Sequence, residues 1–507
     1  MVHYRHLLIM PCLPLLVVAI TLANTDSAAT ARAETPTRAE NWPHWRGPLE
    51  NGSSSTADPP LTWSEEENVR WKVEIPGRGG STPIVWGDRV FVLSALPVGP
   101  AAEPETESAA TPAAAEEPRD ATAEPAPQRG DRDGRGGRGD RGNRGSRGGR
   151  PRFGGFGGNA RPTQMHQFLV IAYDRHSGEK IWQTVATEQV PHEPGHGTNT
   201  FASSSPVTDG QHLFVNFGSR GVYCIDLDGN LVWKRDLGQM QTRAQFGEAA
   251  SPALHGNRLV VPWDHEGQSF LTALDTATGE PVWKVDRDER TTWATPLITE
   301  HEGQAQVITN GSIVRSYSLD SGELLWQCGG QVENPIPSPV RIDDQVICMT
   351  GYRGNAIYAI RLDARGDVAD TDSVAWTRFD AAPYVASPAL HDGRLYFTKS
   401  RDGIFSSVDA VTGESVISQQ RLTAVRSIYA SPVAAQDRVY VTGREGTTVV
   451  LRHGPEFEIL ATNQLDDGLD ASPALVGDRI YLRGEKHLYC IGEPDEEASD
   501  ESDRESE

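Results

Sequence analysis

"SPALHGNRLVVPWDHEGQSFLTALDTATGEPVWKVD", Ser251–Asp286, holds four short apolar runs separated by turn residues. The runs are rich in Val, Leu and aromatic residues, and Gly256-Asn257 and Thr278-Gly279 punctuate them. That is the chemistry of strands joined by tight hairpins. The stretch opens on Ser-Pro, and so do its relatives along the chain. A Ser-Pro or Thr-Pro dipeptide recurs at Thr82-Pro83, Ser205-Pro206, Ser251-Pro252, Thr295-Pro296, Ser338-Pro339, Ser387-Pro388, Ser431-Pro432 and Ser472-Pro473. From Pro206 onward the prolines are 46, 44, 43, 49, 44 and 41 residues apart, and only the first gap, of 123, breaks the rhythm. Four antiparallel strands every ~45 residues are the signature of a β-propeller blade. The rival WD40 propeller would show a Gly-His and a Trp-Asp pair once per repeat, and neither recurs on this period.

The fourth strand usually carries a tryptophan: Trp71, Trp182, Trp233, Trp283, Trp326 and Trp376. Two repeats lack it, with Ile417 at the matching place in one and Leu460 near it in the other. Eight openings and eight outer segments predict an all-β, eight-bladed propeller. Trp71 precedes the first opening, while the last repeat ends at "KHLYCIGE" without a fourth strand. Val69–Ile75 is therefore expected to complete the eighth sheet, closing the ring and leaving no exposed terminal edge. The tryptophans read as structural docking residues, packed between adjacent sheets.

"DTATGEPVW" (Asp275–Trp283) and "DRHSGEKIW" (Asp174–Trp182) resemble the tryptophan-docking repeat of the pyrroloquinoline-quinone (PQQ) β-propeller superfamily. That superfamily includes quinoprotein alcohol dehydrogenases and the outer-membrane assembly factor BamB. The opening "NWPHWRGP" and the later "LTWSEEENVRWKVEIPGRGGSTPIVWGDRVFV" resemble secreted PQQ-like repeat proteins of the planctomycete type. The resemblance covers residues 41–98 and 162–492. It implies the fold, whereas function has to be sought in the site residues.

The remaining segments are compositionally biased. Residues 1–33, with a short basic start, an apolar run from Leu7 to Ala23 and an A-x-A site at Ala31-Arg32-Ala33, read as a secretory signal peptide, an uncleaved anchor being the alternative. Residues 34–67 form an N-terminal arm, 68–98 the closing strand and the start of the first blade, and 162–492 the rest of the propeller. Residues 99–161 are an insert between the second and third strands of the first blade, rich in Ala, Pro and Glu and then in Arg and Gly. Such composition cannot bury a core and is expected to be disordered, as is the acidic tail 493–507. The signal implies export to the periplasm, extracellular space or cell envelope. No later segment approaches the ~20 apolar residues of a membrane helix, so membrane association is expected to be peripheral at most, and the chain a monomer. A net charge of −23 argues against nucleic acid as a partner, despite the Arg-Gly tract. Cys224, Cys328, Cys348 and Cys490 have neither CxxC spacing nor adjacency and read as buried inert thiols.

The resemblance to quinoproteins implies PQQ, a calcium ion, a catalytic Asp and usually two adjacent cysteines. No such cysteine pair or Asp segment occurs, so no catalytic residue and no cofactor is assigned; PQQ with calcium is the alternative, serving oxidation of alcohols or sugars. In "HEPGH" (His192–His196), Pro191, Pro194 and Gly195 forbid a helical pair of histidines, and no metal site is assigned. The candidate binding surface is the funnel face. There the segments before the Ser/Thr-Pro openings carry Arg78, His196, Asn199, Arg243, Glu248, Arg290, Trp293, Asn334, Tyr384, Arg426, Tyr429 and Asp470. Arginines and aromatics around one axis suit an envelope protein partner or a small anionic or sugar-like ligand. The expected function is that of a non-enzymatic, BamB-like binding or scaffold module.

Overall fold

Ser251–Asp286 folds into the four antiparallel strands its pattern predicts: Ala253–His255, Arg258–Trp263, Ser269–Asp275 and Pro281–Arg287. The computed structural model describes residues 37–99 and 162–494, together with Met1, and arranges eight such sheets as a propeller. Strands in each blade are lettered A to D from the axis outward. The A to C strands are sandwiched between neighbouring sheets and are buried almost throughout. The D strands face solvent on one side and alternate, as Pro281–Arg287 does around buried Trp283.

Ring closure matches the sequence expectation. Val69–Glu74 is the D strand of the blade formed by Ala474–Val476, Arg479–Arg483 and His487–Ile491, with Val69 opposite Ile491 and Glu74 opposite His487. In the first blade, Arg89–Val98 and Met165–Asp174 pair along their whole length, from Arg89 opposite Asp174 to Val98 opposite Met165. The chain leaves for the insert at the open end of this B–C hairpin. Residues 2–33 of the segment read as a signal peptide, the insert from residue 100 to 161 and most of the acidic tail lie outside the described residues.

Tryptophans join the blades. The indole N–H groups of Trp71, Trp182, Trp233 and Trp283 donate to the carbonyls of Arg175, Leu227, Thr276 and Leu319, at 3.1, 2.9, 2.8 and 2.7 Å, each in the C–D turn of the next blade. The turn glycine lies flat on the ring. Gly279 sits at φ +70, and a Cβ there would lie 2.6 Å from the Trp233 ring, so the docking sequence needs glycine for both conformation and clearance. One such indole contributes roughly 3–5 kcal/mol on truncation. Four positions depart from this scheme. Trp376 lies against Gly413 of the next blade, but its N–H has no hydrogen-bond partner among the described residues, and Ile417 takes the tryptophan position of the sixth blade. Trp326 meets no such turn, because the next blade's C–D connection makes a detour whose Gly366–Asp367 pairs with the blade edge at Trp326. Its N–H turns to Gln306 Oε1 at 3.3 Å instead. In the seventh blade the register places Ala461 at the tryptophan position, with Leu460 in the adjacent bulge.

The arm before the closing strand crosses the mouth of the channel at the A–B turns. Trp42 exchanges two backbone bonds with Val85, and Pro43 accepts from the Thr208 amide. Further on, Asn51 and Gly52 accept from the Leu390 and Ala434 amides, Ser53–Ser54 pairs in parallel with Ala434 and Ala435, and Asp58 donates to Gly477. The arm thereby ties five blades together and closes one end of the channel. Burial raises the thiol pKa of all four described cysteines, which are unpaired, so they behave as core residues.

Candidate functional site

The recurring Ser/Thr-Pro hydroxyls meet around the axis. Thr82 N–H donates to Ser205 Oγ, and Ser205 N–H to Ser251 Oγ, both at 2.9 Å. The Thr295 amide donates to Ser338, Ser338 to Ser387, Ser387 to Ser431 and Ser431 to Ser472, at 2.9–3.0 Å, and the Ser472 amide returns to Thr82 Oγ1 at 3.3 Å. The one joint without an amide-to-hydroxyl bond lies between Ser251 and Thr295. There Thr295 Oγ1 accepts instead from the indole N–H of Trp45, at 3.1 Å, reaching in from the arm. Each hydroxyl oxygen therefore accepts one bond. The dipeptide that marks the repeat in sequence is the inner belt of the ring.

Above the belt is a well of about 350 Å³, lined by all eight hydroxyls, with Trp45 contributed by the arm below. Its walls carry Asn199, Trp293, Tyr384, Tyr429 and Asp470, as well as His196. The other funnel candidates lie elsewhere. Arg243 reaches across to Glu333 at 2.9 Å and to Asn334 Oδ1 at 2.8 Å, and Asn334 is buried. Arg290 and Arg426 are exposed outside the well, and Arg78 lines a smaller neighbouring recess beside Asp470 and Glu485. Glu248 turns into the crevice between the second and third blades, where it accepts from the Ser219 amide at 2.7 Å and from the Ser219 hydroxyl. The expected convergence of arginines from the segments before the openings does not occur. Three of those side chains extend into solvent and the fourth is held by Glu333.

The cations at the well come from the B–C turns instead. Arg401 Nη1 donates to Tyr429 Oη at 3.0 Å, and Thr198 Oγ1 donates to the same oxygen at 3.3 Å. Arg444 lies over the Tyr429 ring at 4.4 Å and grips both carboxylate oxygens of Asp470, at 2.5 and 2.9 Å. Tyr352, from a third B–C turn, stacks on Tyr384 with centroids 5.0 Å apart. Sequence reasoning missed Tyr352, Arg401 and Arg444, although "GYRG", "KSRDG" and "GREG" place each two or three residues after a B strand. It also missed Trp45. Burial and then the charges of Arg401 and Arg444 hold the His196 pKa below its ordinary value. The "HEPGH" side chains diverge: His192 faces the Met240 carbonyl, Glu193 accepts from Thr242, and His196 Nδ1 faces Thr198 Oγ1. Among the described residues no cluster of His, Cys, Asp and Glu has metal-binding geometry.

The family model of the outer membrane protein assembly factor BamB matches residues 166–419, half of the chain. The chain belongs to this PQQ-like β-propeller family. No curated protein matches its sequence significantly. Among solved structures, the quinohemoprotein alcohol dehydrogenase of Comamonas testosteroni is similar over 90% of this chain and 82% of its own, with 10% identity and a TM-score of 0.57. A europium-containing methanol dehydrogenase is similar over 89% of both chains, with 10% identity and a TM-score of 0.55. BamB from Moraxella catarrhalis aligns over 64% of this chain and 93% of its own, with 14% identity and a TM-score of 0.47. The likeness to the two dehydrogenases describes the fold. Among the described residues no helix is long and apolar enough to cross a membrane.

Proposed function

We propose that this protein is a non-catalytic binding propeller of the cell envelope. It works through the axial well and its rim and takes a small anionic or sugar-like ligand, or a loop of an envelope protein. The observation that carries this reading is the chemistry of the well wall. It offers hydroxyl, phenol and guanidinium donors, and its one carboxylate, Asp470, is already held by Arg444. A site of this kind recognises acceptors and negative charge. It has no unengaged carboxylate to act as a general base.

The alternative is a PQQ-dependent oxidoreductase, after the fold's dehydrogenase neighbours. When bound with calcium, that cofactor would supply the two-electron oxidation of an alcohol. Calcium calls for several oxygen ligands with carboxylates among them. Asp470 is spent on Arg444, and Glu248 points out of the well to Ser219. Each described cysteine lies alone within its own strand, so no adjacent pair lies over the well. These residues do not fit a calcium-held quinone, which supports the binding reading. Reconstitution with PQQ and calcium tests it. The expected result is no stoichiometric quinone absorbance and no dye-linked alcohol oxidation, and the appearance of either overturns the reading.

A further inference from the structure

The well has an excess of hydrogen-bond donors. Each of its eight belt oxygens already accepts a bond from an amide or from Trp45. A hydroxyl has one proton to give as well as lone pairs. Those protons are left for whatever enters. Tyr429 is in the same state, since its oxygen accepts from Arg401 and Thr198 and its own proton remains. A ligand that satisfies this wall has to bring oxygen acceptors in number.

The charge at the well is positive, in a chain whose net charge is −23. Among the described residues Arg401 has no carboxylate at ion-pair distance, and it is the lining cation left for a ligand. A second positive charge stands behind the floor. Arg46 is 1% exposed, and its guanidinium carbon lies 5.2 Å from the centre of the Trp45 ring. It donates to the carbonyls of Pro388 at 2.5 Å and Pro432 at 3.2 Å, and among the described residues it has no carboxylate at ion-pair distance. Burial lowers its pKa to about 9, which still leaves it charged at neutral pH. A buried charge without a counter-ion projects its field further than a solvated one.

The third property is shape. Trp45 and the arm close the well from below, so it admits the end of a chain and not its middle. Its 350 Å³ is at the small end of ligand sites. Trp45, Trp293 and the Tyr352–Tyr384 stack line the well together with the donors. A sugar ring has an apolar C–H face and a rim of oxygens, and so matches both. A peptide would bring about as many N–H donors as carbonyl acceptors and so would match this surplus of protons less well.

Resting on the binding reading above, we infer that the axial well captures the acidic end of a saccharide, a terminal sugar ring bearing a carboxylate or a sulfate ester. Calorimetric titration of the purified full chain with glucuronate, glucose 6-sulfate, glucose and sodium sulfate tests this. At least one of the two acidic sugars is expected to bind with one-to-one stoichiometry and to weaken as salt is raised. Glucose and sodium sulfate are expected to bind about tenfold more weakly or not at all, as lost charge-assisted bonds imply. Arg401→Ala, at an exposed side chain, and Tyr429→Phe are each expected to weaken the acidic sugar while leaving the thermal midpoint in place. Glucose binding as tightly as glucuronate overturns the role of the oxyanion, and sodium sulfate binding as tightly overturns the sugar. Binding that both variants leave unchanged overturns the location. If none of the four binds and PQQ elicits no oxidation, the saccharide falls and the binding reading stands. Dye-linked oxidation with PQQ would remove both.

Discussion

Glu248 accepts two bonds from Ser219 and yet titrates near neutrality. Burial is the dominant cause and the neighbouring Glu193 adds to it, raising its pKa from 4.5 to about 7 against the lowering effect of the Ser219 bonds and Arg220. The folded state therefore holds a proton that the unfolded chain releases. The contribution of this raised carboxyl is fully present below pH 4.5 and is lost as pH rises to about 7. Glu248→Gln removes that linkage. In urea unfolding, the stability of the variant relative to the parent should improve between pH 4 and pH 8 by about 2–3 kcal/mol, whatever the offset from altered bonds to Ser219. A difference that does not vary with pH would mean that the carboxyl ionises normally in the fold. At the same scale, the docking tryptophans were readable because Trp and the turn Gly are separated along the chain by a fixed motif. The site arginines were not, since a polar residue before an opening carries no mark of whether it faces the axis, a neighbour or solvent. Arg243 and Arg426 both stand before an opening, and Arg243 alone has Glu333 and Asn334 across the gap.

At the scale of elements, the first blade shows how little its B–C hairpin needs the insert. The ladder from Arg89 opposite Asp174 to Val98 opposite Met165 is complete on described residues alone. Replacing residues 99–164 by a two-residue Asn-Gly turn directly between the paired Val98 and Met165 should therefore lower the thermal midpoint by no more than about 2 °C, because loop length enters stability only logarithmically and shortening favours the fold. A drop of 10 °C or more would show that the insert packs on the propeller. The arm is the opposite case. It carries no periodic pattern, so it could be marked as a segment but given no position. Its Trp45 and Arg46 became legible only when Thr295, Pro388 and Pro432, some 250 to 390 residues away, were placed around them.

At the scale of the molecule, stability depends on closure. The D strand Val69–Glu74 covers the edge of His487–Ile491, and the arm ties blades across the channel. Deleting residues 34–76 removes both. The expected outcome is loss of the single cooperative melting transition, with aggregation through the uncovered edge, measured by calorimetry and light scattering. A deletion variant that melts like the parent would show that the ring holds without its N-terminal strand.

The sequence by itself determined the number of blades, their strand order, the tryptophan docking and the use of an N-terminal strand to close the ring. These come from periodicity, and a repeat that buries one face against the next must recur at a regular spacing. It also marked the Ser/Thr-Pro dipeptides as the beat of the repeat. Only the tertiary structure decided what that beat is for. Eight hydroxyls from segments up to 390 residues apart meet at one axis, each bonded to a neighbour, with Trp45 below and Arg401 and Arg444 beside them. Convergence of this kind depends on which way each loop turns after leaving its strand. That choice is made by partners distant along the chain, so local pattern does not encode it.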